Sequence, residues 1–70
     1  MNEHYKKNKI EAIDIIDQTV RTYPARYSYY VGNTLKYLLR APFKNNMKQD
    51  LYKAEDYLHK LRTGRWIDDE

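Results

Sequence analysis

The stretch ARYSYYVGNTLKYLLR, Ala25 to Arg40, lies between Pro24 and Pro42 and decides the fold. Within it, Tyr27, Tyr30, Val31, Thr34 and Leu38 fall at i, i+3, i+4, i+7 and i+11, the repeat of one helical face. Leu35 and Leu39 flank that stripe, so more than a third of the circumference is apolar, which predicts the central helix of the molecule. Pro24 disfavours helical backbone at Tyr23 and suits the first turn of the helix, whereas Pro42 ends it. Gly32 costs about 1 kcal/mol relative to Ala in a helix interior. It marks close approach of a backbone or ligand, or is simply tolerated.

On the N-terminal side, a helix is predicted from about Lys9 to Thr22, with Ile10, Ile13, Ile16 and Val20 on one stripe. Glu11 and Asp14 lie in its first half, where the helix dipole favours acids. On the C-terminal side, Asn46 is placed to cap a third helix, with Gln49 three residues on in an arrangement similar to a capping box. That helix is predicted to reach Arg62, with Gly64 as its stop. Met47, Leu51, Ala54, Leu58 and Leu61 form an a/d-like seam suited to another helix. Trp66 and Ile67 have no obvious place in a three-helix core and are open to packing on a neighbouring subunit or to fraying. The reading is all-α: a small three-helix protomer, one helical domain over residues 1–70, with an N-terminal arm at 1–8 and a C-terminal tail at 63–70.

Seventy residues bury only a modest core, and such chains usually need a staple. There is no cysteine, and His4 and His59 lack zinc-ligand spacing, which leaves self-association and predicts a homo-oligomer. A formal net charge of +3 is mild; nucleic acid is an unlikely partner, while a phosphate-bearing ligand is compatible. No apolar run approaches the roughly 20 residues that span a bilayer, and the polar start resembles no signal peptide, so no membrane association and a cytoplasmic location are expected. Eight tyrosines suggest many half-buried rings, at subunit contacts, beside a cleft, or at the rim of a small core.

Asn33, Lys36, Tyr37 and Arg40 recur at i, i+3, i+4 and i+7 on the side of the central helix away from its apolar stripe. A carboxamide, an ammonium, a phenol and a guanidinium in line offer donors for phosphate oxygens and a ring for stacking. A solvated helix face has the same composition. The third helix carries Asp50, Lys53 and Tyr57 beside its seam; Asp50 either offsets the dipole or pairs with Lys36 or Arg40 and orients them. The acid pair Glu11 and Asp14 is a weak signal for Mg²⁺, with Asp50, Glu55 and Asp56 the only further acids in reach of a shared site. No phosphate-binding glycine loop is present, which excludes a P-loop enzyme. No metal site, no cofactor and no catalytic constellation are expected.

The order His4-Tyr5, Glu11, Gly32-Asn33-x-x-Lys36-Tyr37-x-x-Arg40, Lys44 and Asp50-Leu51-x-Lys53-Ala54-x-x-Tyr57-Leu58 resembles a family of short bacteriophage proteins often labelled nucleotide kinase. The resemblance runs from about His4 to Leu61 and departs at Asn45-Asn46, where glycines are usual. It implies a phosphate-selecting pocket in which His4, Tyr5, Asn33, Lys36, Tyr37, Arg40, Lys44 and Lys53 bind the ligand and Glu11 and Asp50 orient them. The function then expected is nucleotide binding in an infected bacterial host. There it would serve as a sponge that sequesters a signal such as a cyclic dinucleotide used in anti-phage defence. The alternatives are a nucleotide kinase or Mg-dependent phosphohydrolase, and an interaction protein docking through the third-helix seam or the Trp66-Ile67 tail.

Overall fold

The computed structural model describes residues 11–43 and 45–69. Among them, three α-helices follow one another: α1 (Ala12–Val20), α2 (Ser28–Arg40) and α3 (Met47–Thr63). Short 3-10 turns lie at Ala25–Tyr27, Ala41–Phe43 and Ile67–Asp69, and no strand occurs among the described residues. The all-α reading therefore holds for this part of the chain. Lys9 and Ile10, expected in the first helix, lie outside the described residues.

Local chemistry explains the boundaries. The helical stretch of α1 stops at Val20, two residues short of the expected end. There Thr22 turns its hydroxyl onto the Thr19 carbonyl at 2.7 Å, and the Tyr23 N–H donates to Val20 at 3.2 Å. Pro24 is extended at ψ 144°, so the next helix begins not at Ala25 but through a 3-10 turn in which Tyr27 N–H reaches the Pro24 carbonyl at 2.9 Å. Asn46 does precede α3, yet its side chain makes no capping hydrogen bond. Only its carbonyl takes part, accepting the Asp50 N–H at 3.0 Å, so the expected capping box is not formed. Gly64 ends α3 with φ 81°, a left-handed conformation suited to glycine, and donates its N–H to Lys60 at 2.8 Å.

α2 is the middle element, packed against α1 on one side and α3 on the other. Gly32 is the point of close approach to α1: a methyl group there would lie 3.6 Å from Ile16 Cγ2 and 3.8 Å from Val20 Cγ1. The short connection after α2 makes α2 and α3 an antiparallel pair, joined by Arg40 to Asp50 at one end and Tyr30 to Trp66 at the other. Three helices side by side give a plate measuring 46 × 31 × 13 Å. α1 and α3 each pack on α2 and hardly on one another, so the three helices form a layer rather than a closed bundle. A single layer buries only the lines along which its helices meet. Val31, Thr34, Ala41, Asp50 and Ala54 are the buried residues among those described, and Leu38, Leu51 and Leu58 stay 46%, 38% and 50% exposed. The third-helix seam is thus only partly occupied: Ala54 meets α2 and the two leucines beside it face out. No helix among the described residues is long and apolar enough to cross a membrane.

Candidate functional site

One broad face of the plate is polar and aromatic, and it is built around Tyr37. Lys36 Nζ lies 4.6 Å from the centre of that ring, Arg40 Cζ 5.0 Å, and Lys53 Nζ, arriving from α3, 5.5 Å. Cations at these distances are attracted by the ring quadrupole. The ring also stacks on Tyr57 of α3, 5.8 Å away and inclined by 18°. Tyr57 in turn meets Tyr29 edge-on at 5.9 Å and Trp66 at 5.4 Å, and Trp66 meets Tyr30 at 6.0 Å. Lys60 extends the pattern, 5.6 Å from the Trp66 ring and 5.8 Å from that of Tyr30. The outcome is a continuous aromatic floor edged with ammonium groups.

Asp50 anchors the cationic end. It sits in the first turn of α3, where the helix dipole favours a carboxylate, and only 2% of its surface is exposed. Arg40 crosses from α2 and donates Nη2–H to Oδ1 at 2.7 Å and Nε–H to Oδ2 at 3.2 Å. This two-point pairing fixes both distance and orientation. The hydrogen bond to Asp50 holds the guanidinium pKa above its ordinary value, while 40% of the Arg40 side chain remains exposed. Of the two partners foreseen for Asp50, Arg40 is the one it takes. Lys36 and Lys53 have no carboxylate partner among the described residues.

At the other end, the Tyr57 hydroxyl is hydrogen-bonded with Tyr29; that bond first, and burial second, push its pKa up to about 12. It stays protonated, so the aromatic floor adds no negative charge.

Lys36, Tyr37, Arg40 and Lys53 converge, with Asp50 behind Arg40. Asn33 lies one turn earlier on α2, its amide donating to the Tyr29 carbonyl at 2.8 Å, which leaves the carboxamide oxygen as its outward group. Glu11 occupies the N-cap of α1, on the helix beyond the other edge of α2; its backbone carbonyl receives Asp14 and Ile15. His4, Tyr5 and Lys44 lie outside the described residues. Sequence reasoning left Tyr29, Lys60 and Trp66 out of the site. The Trp66 tail does have a place in the protomer: the left-handed turn at Gly64 reverses the chain, and the indole folds back onto Tyr57 and Tyr30. An apolar residue just after a C-terminal glycine is a signal for such a return. The ring of Tyr37, expected as a stacking surface for a base, is already engaged by Tyr57 and three cations. Tyr29, 62% exposed, is the more open ring. Among the described residues no three of His, Cys, Asp and Glu are grouped so as to hold a metal ion.

A family model described as a protein of unknown function, DUF3310, matches residues 1–59, a span that contains α1, α2 and most of α3. No curated protein and no solved structure matches the chain.

Proposed function

The chain belongs to the DUF3310 family, whose description carries no activity, and we propose from the residues themselves that it binds a nucleotide and holds it without turning it over. The observation that carries this reading is the convergence of Lys36, Arg40 and Lys53 on Tyr37. Two ammonium groups and the outer edge of a guanidinium suit the oxygens of a phosphate. The adjoining rings, Tyr29 above all, suit a flat base. Arg40 is pre-oriented by the buried Asp50, so its placement costs little on binding. Retention without turnover fits a site in which Asp50 is tied to Arg40 rather than set to place a metal. A sequestered nucleotide signal, such as a cyclic dinucleotide of bacterial defence against phage, is the ligand class this reading favours.

Calorimetric titration with mono-, di- and cyclic dinucleotides tests it. Binding at micromolar or better is expected, weakened about tenfold or more by Lys36→Ala or Lys53→Ala, the size of one hydrogen bond to a charged group. The bound nucleotide should be recovered unchanged after incubation with Mg²⁺. Absence of binding below millimolar across the panel would sink the proposal, and release of a hydrolysed or phosphorylated product would replace it with the enzyme reading.

A further inference from the structure

Between the open ring and the cations of the polar face lies Asn33, a side chain that the nucleotide reading does not yet use. Tyr29 and Tyr37 lie two turns apart on α2, and both pack against Tyr57 of α3, so they share one face. Asn33 is midway between them, about 6 Å along the helix axis from each. Its amide donates Nδ2–H to the Tyr29 carbonyl at 2.8 Å, which fixes the orientation of the carboxamide and turns Oδ1 outward. No hydrogen bond reaches that oxygen among the described residues. We infer that Asn33 Oδ1 accepts a hydrogen bond from a sugar hydroxyl of the bound nucleotide, so that the site selects ligands whose sugar carries a free hydroxyl.

The inference rests on the nucleotide reading and assigns the middle of the same site. The order of parts along α2 carries it. Tyr29, 62% exposed, is the surface for the base, and Lys36, Arg40 and Lys53, gathered around Tyr37, are the donors for phosphate. In a nucleotide the sugar joins base to phosphate. With its two ends on those groups, the sugar passes over Asn33. Chemistry then decides the contact. A carboxamide oxygen only accepts, and neither the glycosidic link nor the phosphate ester offers a proton. The sugar hydroxyls are the donors in that stretch of the ligand, and a 2′-hydroxyl both donates and accepts. Lys36, three residues on, is a neighbouring donor within the helix face, yet its Nζ lies over the Tyr37 ring at 4.6 Å and leaves the Asn33 oxygen to the ligand. An amide that served only its own helix would be indifferent to the sugar, which separates the two roles.

Calorimetric titration of the full chain with matched pairs tests the inference. The pairs are adenosine and guanosine 5′-monophosphate against their 2′,3′-dideoxy forms, and the 3′,5′-cyclic dinucleotides of the same bases against their 2′-deoxy forms. In each pair that binds, the wild type should hold the hydroxyl-bearing member about three- to tenfold more tightly, the size of one hydrogen bond between neutral groups. Asn33→Ala should bind both members of a pair alike, because the acceptor is gone. Asn33→Asp keeps an oxygen acceptor and should retain the preference, although its charge opposes the phosphate and weakens both members. The ratio within a pair is the readout, so a partly unfolded variant lowers both titrations equally and leaves the ratio unchanged. Equal binding of the two members by the wild type overturns the inference and leaves the nucleotide reading standing. A preference that survives in Asn33→Ala does the same. A panel in which no member binds overturns the nucleotide reading itself, and this inference with it.

Discussion

Two side chains govern how the polar face responds to change, and they act through different protons and charges. Tyr57 keeps its hydroxyl proton because Tyr29 shares a hydrogen bond with it and the ring is partly buried, so its pKa moves from 10.0 to about 12. The neutral form is the one favoured by folding, so its contribution is complete below pH 10 and is lost as pH rises from there through 12. Tyr57→Phe should therefore lower stability at pH 8 by about 1 kcal/mol, the net worth of one hydrogen bond. The gap between wild type and variant should close as pH approaches 12. Urea unfolding midpoints taken in steps from pH 8 to 12 measure it; a gap that widens with pH contradicts the assignment. Asp50 responds to truncation rather than to alkali. It is buried and accepts two hydrogen bonds from a charged partner, so Asp50→Ala should cost about 2–3 kcal/mol in the same assay. Asp50→Asn keeps the shape and one acceptor and should cost less. Both variants should also weaken nucleotide binding, because Arg40 then loses its fixed orientation. The Asp50–Arg40 alternative was readable in the sequence from an acid in the first turn of one helix and an arginine in the last turn of its neighbour. Choosing Arg40 over Lys36 needed the crossing of α2 and α3, which no single stripe contains.

The chain has two glycines, and the helices they serve give opposite expectations for the same substitution. Gly32 sits inside α2 in ordinary helical backbone, and a methyl added there would touch Ile16 and Val20 at normal van der Waals distance. Gly32→Ala should raise stability by about 0.5–1 kcal/mol, from helix propensity and reduced freedom of the unfolded chain. Gly64 holds φ at 81°, so Gly64→Ala should cost roughly 1–2 kcal/mol and loosen the return of Trp66 onto Tyr57. Thermal unfolding followed by circular dichroism, with Trp fluorescence for the tail, separates the two. A destabilised Gly32→Ala would mean that α1 and α2 cannot admit a methyl group between them. Much at this scale was visible in advance. The prolines at 24 and 42 and the glycine at 64 mark where helices begin and stop, because each restricts or permits backbone angles by itself. The Asn46 side chain failed as a cap because its conformation, φ −118° and ψ 54°, does not aim the amide at the α3 N–H groups. Lys53 was readable as polar and helical, but its convergence on Tyr37 depends on how two helices lie together.

At the scale of the molecule, a layer of three helices with few buried residues has to be reconciled with a stable fold, and concentration is the variable that tests whether self-association does so. The a/d-like seam of α3 announced a helix partner in the sequence, yet it gave no means of telling α2 from a neighbouring subunit. Ala54 meets α2 while Leu51 and Leu58 are left facing out, so one stripe is divided between two uses. If a second copy covers those leucines, folding and association are one equilibrium, and the apparent stability has no value apart from protomer concentration. Each tenfold rise in concentration then adds about 1.4 kcal/mol per dimer. For a cooperative unit of this combined size, that corresponds to a rise in Tm of roughly 3–6 °C. Scanning calorimetry at 10 µM and 100 µM should show it for the wild type. Lys36→Ala should show the same slope, because that ammonium lies on the opposite face beside Tyr37. Leu58→Asp should unfold at a lower temperature that no longer moves with concentration. Nucleotide should raise the wild-type Tm at either concentration without changing the slope if the proposed nucleotide site and the contact between copies lie on different faces of the plate. A slope that vanishes when nucleotide saturates would instead place the ligand between the copies, and the two faces would have to exchange roles.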